Sequence, residues 1–275
     1  MKIAIYTRDE SALSEPRFRS MSDRLASEGF SLYNIKAASD ILEGTGMVLS
    51  AGGDGTFLSA SKRVGDSGIP VLGVNMGRVG FLSEYSPEEA CEALIKGTYS
   101  LEDRALLETR VDGEMIGTDS SFWPYTLNEI SVLRGGASIL GVDVSLDGNP
   151  LPTYWADGLL VSTSSGSTAY SLSVGGPICV PDAKVIIIAP IAPHNLNVRP
   201  LVVPDTTVVS ISMRSRDKVV AMSMDNRNVR LSSDASLEVK VAQFSLKRVR
   251  LEKSSFIKAL TTTLFWGEDI RNGGI

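Results

Sequence analysis

The chain has one histidine, His194, and two cysteines, Cys91 and Cys179. One imidazole and two thiols without ligand spacing exclude a zinc site built of His and Cys. The thiols read as free, and their scarcity suits a reducing compartment. Nothing approaches the roughly 18 consecutive apolar residues of a membrane-spanning helix. Met1-Lys2-Ile3-Ala4-Ile5-Tyr6 is too short for a secretory leader, and Arg8-Asp9-Glu10 follows at once. A cytoplasmic protein is the simplest expectation. Basic clusters are also missing: Lys247-Arg248-Val249-Arg250 alternates as a half-exposed strand does. With a net charge of −5, neither nucleic acid nor a membrane is an expected partner.

What remains is an ordinary globular balance, with 43% hydrophobic and 21% charged residues in 275. That length suffices for one large domain or two modest ones. The first hundred residues alternate strand and helix patterns. Ile3, Ile5 and Tyr6 suggest an opening strand, and Phe18, Met21 and Leu25 recur at helical spacing. Met47–Ala51 reads as a buried strand, Phe57, Leu58, Ser61 and Val64 as a helix, and Ile69–Val74 as a strand. Ser86-Pro87-Glu88-Glu89 carries a capping box with Pro at the first helical position. The expected fold for 1–99 is a Rossmann-like parallel α/β domain.

Beyond Tyr99 the pattern changes to period two, as in Val142-Asp143-Val144-Ser145-Leu146 and Leu237–Val241. Asp112-Gly113, Gly135-Gly136, Asp147-Gly148-Asn149 and Asp157-Gly158 read as turn signals. Residues 100–252 are expected to form an antiparallel, sandwich-like β domain. The last segment, 253–275, turns helical again from Ser254 to Trp266, with Phe256, Leu260 and Leu264 on one face. That face is expected to pack back on the first domain.

The most informative segment is Gly52-Gly53-Asp54-Gly55-Thr56, where a buried strand meets a helix. Ligands bind at the carboxyl ends of such strands. Glycines allow close backbone approach, and successive amides at a helix start attract phosphate. A carboxylate there would repel a bare anion. Two reasons for it are open: it holds Mg²⁺, or it accepts a proton from an attacking hydroxyl. An aspartate, with an ordinary pKa of about 3.9, accepts that proton only as the new bond forms. A tight turn with a capping Asp is the bland alternative. No Gly-Lys-Ser/Thr follows, so the segment is not a Walker loop.

Gly-Gly-Asp-Gly-Thr after a strand resembles the motif shared by NAD kinases, diacylglycerol-type lipid kinases and 6-phosphofructokinases. Further segments resemble NAD kinases alone: Gly73-Val74-Asn75-Met76-Gly77-Arg78-Val79-Gly80-Phe81-Leu82, Leu127-Asn128-Glu129-Ile130, and Asp157 through Ser171. Gly175-Gly176-Pro177, Pro193-His194 through Arg199-Pro200, and Trp266-Gly267-Glu268-Asp269 also fit, all in order. The resemblance implies transfer of phosphate from ATP, or polyphosphate, to the 2′-hydroxyl of the adenosine ribose of NAD. It implies Mg²⁺, Asp54 as the catalytic carboxylate, and Gly52, Gly53, Gly55 and Thr56 as the donor-phosphate loop. NAD would contact Asp54, Gly55, Asn128, Glu129, Asp157, Thr168, Ala169, Tyr170, Ser171, Leu172 and Ser173. A homodimer or homotetramer is implied as well.

Asn128 and Glu129 are neighbours in a β-type run, so both reach one ligand only if the strand ends or bulges there. His194 lies between prolines and reads as part of a rigid connection. Three departures from the family pattern stand out. Ser164 and Ser165 replace Pro-Thr, Ser59 stands where many members are basic, and Asp225-Asn226-Arg227 replaces Asp-Gly-Gln. Lys62 or Arg63 could substitute for the missing basic residue, and no ligand contact is assigned at Asp225. The alternatives are a lipid or sugar-phosphate kinase with the same glycine motif, or a non-catalytic dinucleotide sensor.

Overall fold

The computed structural model describes residues 1–77, 79–117, 122–252 and 254–267. Expectations that touch Arg78, Lys253, Glu268 and Asp269 lie outside the described residues. The chain divides into two compact units, Met1–Asp103 with Leu246–Ile275, and Arg104–Ser245.

In chain order the first unit contains β1 (Lys2–Tyr6), α1 (Pro16–Ser27), β2 (Ser31–Ile35), β3 (Thr45–Ala51), α2 (Asp54–Val64), β4 (Val71–Val74) and α3 (Pro87–Lys96). β5 (Tyr99–Asp112) leads out of it. The second unit then adds β6 (Met115–Ile116), β7 (Tyr125–Thr126), β8 (Glu129–Leu133), β9 (Leu140–Leu146), β10 (Asn149–Pro150), β11 (Tyr154–Ala156) and β12 (Gly158–Thr163). After α4 (Tyr170–Ser173) come β13 (Val185–Ile191), β14 (Leu201–Pro204), β15 (Val209–Arg214), β16 (Val219–Met224) and β17 (Arg227–Ser232). β18 (Ser236–Leu251) returns to the first unit, which closes with α5 (Phe256–Leu264).

The first unit is the expected parallel α/β layer. β2, β1, β3 and β4 pair in parallel, and the end of β18 adds beside β4 with Arg248 opposite Val71. β3 and β4 are buried on both faces, which is why they read as continuous rather than alternating apolar runs. Ile3, Ile5, Met47, Leu49, Ala51, Leu72 and Val74 face α1 and α3 through Phe18, Met21, Leu25, Ala90 and Leu94. Side chains of opposite parity point the other way, and Arg63 of α2 lies 4.0 Å from the Tyr6 ring there. α3 starts as its capping box implies. Ser86 Oγ accepts from the Glu89 N–H, and the Glu89 carboxylate accepts from the Ser86 N–H (3.2 and 2.9 Å). Gly97, at φ 67°, closes it.

α5 belongs to this unit, as its apolar face requires. Ala259 and Leu260 are buried, and Phe256 lies 6.3 Å from Phe81. The helix is shorter than the expected 254–266, because Ser255 is extended and Phe265 is left-handed at φ 52°.

The second unit is built of antiparallel strand pairs. One sheet holds β10, β9, β15 and β18, with β11 on β9 and β5 on β18 and β7; the other runs β14-β13-β12-β8-β16-β17-β6. Their inner faces share one core, which includes Val142, Ile211 and Val239 from the first sheet and Ile130, Val161 and Met222 from the second. Asp147 and Gly148, at φ 49° and 80°, form the tight turn joining β9 to β10. Asp157-Gly158 does not reverse the chain. It is the corner where the chain passes from β11 in one sheet to β12 in the other. A Cβ at Gly158 would strike the Val132 carbonyl, so the corner needs glycine.

Candidate active site

The glycine segment lies at the carboxyl end of β3, as its sequence context implies. Gly52 has φ 151°, and a Cβ there would strike Thr56, so only glycine fits. Its N–H donates to the Val74 carbonyl (2.9 Å), which ties the turn to the end of β4. Gly53 caps α2, its carbonyl accepting from the N–H groups of Thr56 and Phe57 (2.9 and 3.1 Å). Asp54 and Gly55 thus fill the first turn of α2, where backbone N–H groups lack intrahelical acceptors and the helix dipole favours anions.

The Asp54 carboxylate is held by backbone. Phe81 N–H donates to one oxygen (3.0 Å), and Leu82 and Ser83 N–H to the other (3.0 and 2.9 Å). Three of about four lone-pair sites are thereby used, and one remains for a ligand. The segment that supplies these amides crosses β4 at Gly73, where a Cβ would strike the Leu82 carbonyl. Asn75 pins it, donating to the Ser83 carbonyl (3.0 Å) and accepting from the Gly77 N–H (2.6 Å). Gly80 faces the carboxylate itself: a Cβ there would overlap Asp54. Gly73, Asn75 and Gly80 therefore have tertiary reasons that sequence alone does not show.

Behind this loop lies a buried charge. Arg248 on β18 donates to the Leu82 carbonyl (3.5 Å) and pairs with Glu84, and its other nitrogen lies 3.5 Å from Glu102. Burial opposes its charge. Glu84, with smaller help from Tyr85 and Glu102, outweighs this and holds the guanidinium above its ordinary range. Arg248→Met would leave Glu84 with only the Ser254 hydroxyl (2.9 Å). Breaking a buried pair from one side costs about 3 kcal/mol. The midpoint of urea unfolding should fall accordingly, and an unchanged midpoint would contradict this account of the loop's support.

In the second unit the chain bends at Leu127-Asn128 before β8 starts at Glu129, which meets the condition for neighbouring side chains to serve one ligand. The bend is pinned from β12. Thr163 Oγ1 donates to the Leu127 carbonyl (2.7 Å), and Ser162 Oγ and Thr163 N–H donate to the Asn128 carbonyl (3.1 and 2.9 Å). The polar loop continues as a 3-10 turn, Ser165–Thr168, then α4. Gly166 passes so close to the Asn128 carbonyl that a Cβ would not fit. The backbone of Tyr170 lies near the Glu129 carboxylate and favours its charged form, and Glu129 Oε2 is buried without a partner. Burial first, and then the neighbouring Asp225 charge, push the Glu129 carboxyl up to about 8. Asn128, Glu129, Thr168, Ala169 and Tyr170 are thus brought together, with half-exposed Leu172 and exposed Ser173 following on α4. Ser171 is buried against Gly176, whose N–H donates to its carbonyl (2.8 Å). The two departures here each make a contact of their own. Ser164 Oγ donates to the Pro181 carbonyl (2.9 Å), a restraint where the family pattern has proline. Ser165 accepts from buried Arg104 (3.4 Å).

Asp157 lies elsewhere. Gly158 pairs with Leu133 and Ser162 with Glu129, so Asp157 stands at the far end of the β8–β12 ladder, beside Arg134 (2.9 Å). His194 is exposed, its N–H bonded to the Trp155 carbonyl (2.8 Å), in keeping with a structural connection. Arg63 is engaged with the carbonyls of Lys36 and Ser59 (2.7 and 2.8 Å), so it is held away from the phosphate role considered for it. Arg8, given no site role by the sequence, comes within 3.4 Å of where a Gly55 Cβ would lie. Grooves of about 760 Å³ on the β9–β15 face and about 730 Å³ between α3 and α5 contain none of the predicted site residues. Among the described residues no three His, Cys, Asp or Glu cluster to hold a metal.

A carboxylate fixed inside a phosphate-attracting turn suits phosphoryl transfer to an alcohol, and an α/β unit bearing such a turn, joined to a β-sandwich unit, is the class of a small-molecule kinase. The family descriptions "ATP-NAD kinase N-terminal domain" and "ATP-NAD kinase C-terminal domain" match residues 8–99 and 127–251. NAD kinase of Bacteroides fragilis is 42% identical over 229 residues, 82% of this chain and 78% of that protein. NAD kinase of Porphyromonas gingivalis W83 is 44% identical over 228 residues, 82% and 77% of the two chains. Yeast NADH kinase complexed with NADH has the same fold, with a TM-score of 0.84 at 22% identity over 98% of this chain and 88% of that one. An Archaeoglobus fulgidus NAD kinase in complex with ATP gives 0.78 at 24% identity, over 97% and 100%. The chain belongs to the ATP-NAD kinase family, and it is an enzyme.

Proposed function

We propose that this chain transfers the γ-phosphoryl group of ATP to the 2′-hydroxyl of the adenosine ribose of NAD, giving NADP and ADP. The observation that carries the reading is the Asp54 carboxylate, clamped by three amides at the start of α2. The acceptor oxygen attacks the γ-phosphorus while the bond to the β-bridging oxygen breaks. The hydroxyl proton passes to the one lone pair of Asp54 left open. The turn Gly52-Gly53, with Gly55 and Thr56, holds donor phosphates by backbone amides. Asn128 and Glu129 bind ribose hydroxyls, an amide and a carboxyl together offering donors and acceptors. Thr168, Ala169 and Tyr170 line the same pocket, followed by Ser171, Leu172 and Ser173. A divalent ion, Mg²⁺ by expectation, would neutralise charge on the donor phosphates. Rate comes from positioning and electrostatics rather than covalent chemistry. A cytoplasmic homodimer or homotetramer completes the reading.

The test is an acceptor and donor panel. Purified chain with Mg²⁺ and ATP or polyphosphate is offered NAD, a diacylglycerol and fructose 6-phosphate. NADP should form, with the other acceptors unchanged. Phosphorylation of lipid or sugar alone would overturn the reading, and NAD binding without NADP would make the chain a sensor.

A further inference from the structure

Sequence comparison gave Asp225 no role, yet it is among the most constrained residues in the second unit. It sits in the β16–β17 turn with φ 52°, a left-handed conformation uncommon for residues other than glycine. Its N–H donates to the Glu129 carbonyl (3.0 Å). Its carboxylate accepts from three consecutive amides: Leu127 (2.9 Å), Asn128 (2.8 Å) and Glu129 (3.3 Å). These are the residues of the bend on which the ribose-binding pair depends. The second unit thus repeats the device that the first uses on Asp54, with roles reversed. There a backbone segment fixes a catalytic carboxylate; here a carboxylate fixes a functional backbone segment.

We propose that Asp225 is a positioning residue for NAD: its carboxylate clamps the amides of 127–129 and so sets Asn128 and Glu129 at the start of β8. The proposal rests on the reading of Asn128 and Glu129 as acceptor contacts. Arg227 supports the same region, its guanidinium donating to the carbonyls of Trp123 (2.6 Å) and Tyr125 (2.5 Å).

The clamp has an electrostatic consequence. Asp225 and Glu129 are two buried carboxyls in one small space. Burial pushes both up. Asp225 has three amide donors and the nearby Arg227 charge to favour its ionised form. Glu129 has the backbone of Tyr170 nearby and one buried oxygen without a partner. The groups acting on Glu129 are thus Asp225 from the β16–β17 turn and the backbone of Tyr170 from α4. Glu129, pushed up to about 8, keeps its proton near neutral pH. A protonated Glu129 offers a ribose hydroxyl a donor as well as an acceptor.

Asp225→Asn tests this. Asparagine tolerates the left-handed conformation, and its single oxygen still accepts, so the turn is preserved while the charge and one acceptor are lost. The KM for NAD should rise about tenfold or more, as loss of a charge-assisted bond implies, with kcat little changed and the KM for ATP unaffected. A retained native circular dichroism spectrum excludes loss of burial as the cause of any change in the Glu129 titration, followed by carbon-13 NMR of its carboxyl. With the neighbouring charge gone, its midpoint should fall by about one unit or more from about 8. An unchanged KM for NAD and an unchanged midpoint would overturn the proposal. Glu129→Gln separates the two layers. If Glu129→Gln leaves the KM for NAD unaltered, the ribose-contact reading fails. If it raises that KM while Asp225→Asn does not, only the positioning role fails. Should Asp225→Asn not fold, amide exchange in the unaltered protein decides: the N–H groups of 127 and 128 should be protected, and rapid exchange there would exclude the clamp.

Discussion

Asp54→Asn is expected to lower kcat by about 10³-fold, within the range for loss of a positioned general base. The variant should still fold. Leu82 and Ser83 N–H share one carboxylate oxygen, and the asparagine oxygen can replace it. The amide nitrogen would then face the Phe81 N–H, donor against donor, where a carboxylate oxygen now accepts. That mismatch costs about 1–3 kcal/mol. A modest fall in thermal midpoint should therefore accompany a large fall in turnover. NAD affinity, measured by calorimetry, should change far less than kcat. A folded Asp54→Asn protein with near-normal turnover would remove Asp54 from the chemistry and leave it a capping residue.

Gly80→Ala should be nearly as damaging, although Gly80 donates nothing to a ligand. The added methyl would occupy the space of the Asp54 carboxylate. Either the 80–83 turn moves and loses its amide contacts, or the carboxylate rotates away from the acceptor. A displacement of about 1 Å at a reacting group costs about 10²-fold in rate. Gly77→Ala is the matched comparison. It lies in the same loop, yet its Cβ would meet nothing within 4 Å. Steady-state kinetics should show a much larger loss of kcat at position 80 than at 77, and equal losses would show that the steric argument fails.

Both variants concern a feature only half legible in the sequence. The turn itself was readable, because strand, glycines and helix are contiguous from Met47 to Val64. Its partner was not. The clamping amides lie 27 to 29 residues later, and a backbone N–H leaves no trace in residue type. Gly73, Asn75 and Gly80 were visible as a pattern, but their reasons are tertiary. The same holds for Asp225, which meets residues 96 to 98 positions earlier. Fold class was more accessible. Burial on both faces made β3 and β4 continuous apolar runs, and alternation marked the sandwich strands. Register was not accessible: Asp157 adjoins the site loop in sequence, but the pairing of β8 with β12 sets it at the opposite end from Glu129.

The most direct measurement is phosphorus NMR of the products formed by purified chain from NAD, ATP and Mg²⁺. The account predicts one new phosphomonoester resonance, on the 2′-oxygen of the adenosine ribose, growing in step with ADP and about 10³-fold more slowly with Asp54→Asn. ADP formed with phosphate on any other acceptor, or NADP formed at the same rate by Asp54→Asn, would contradict it.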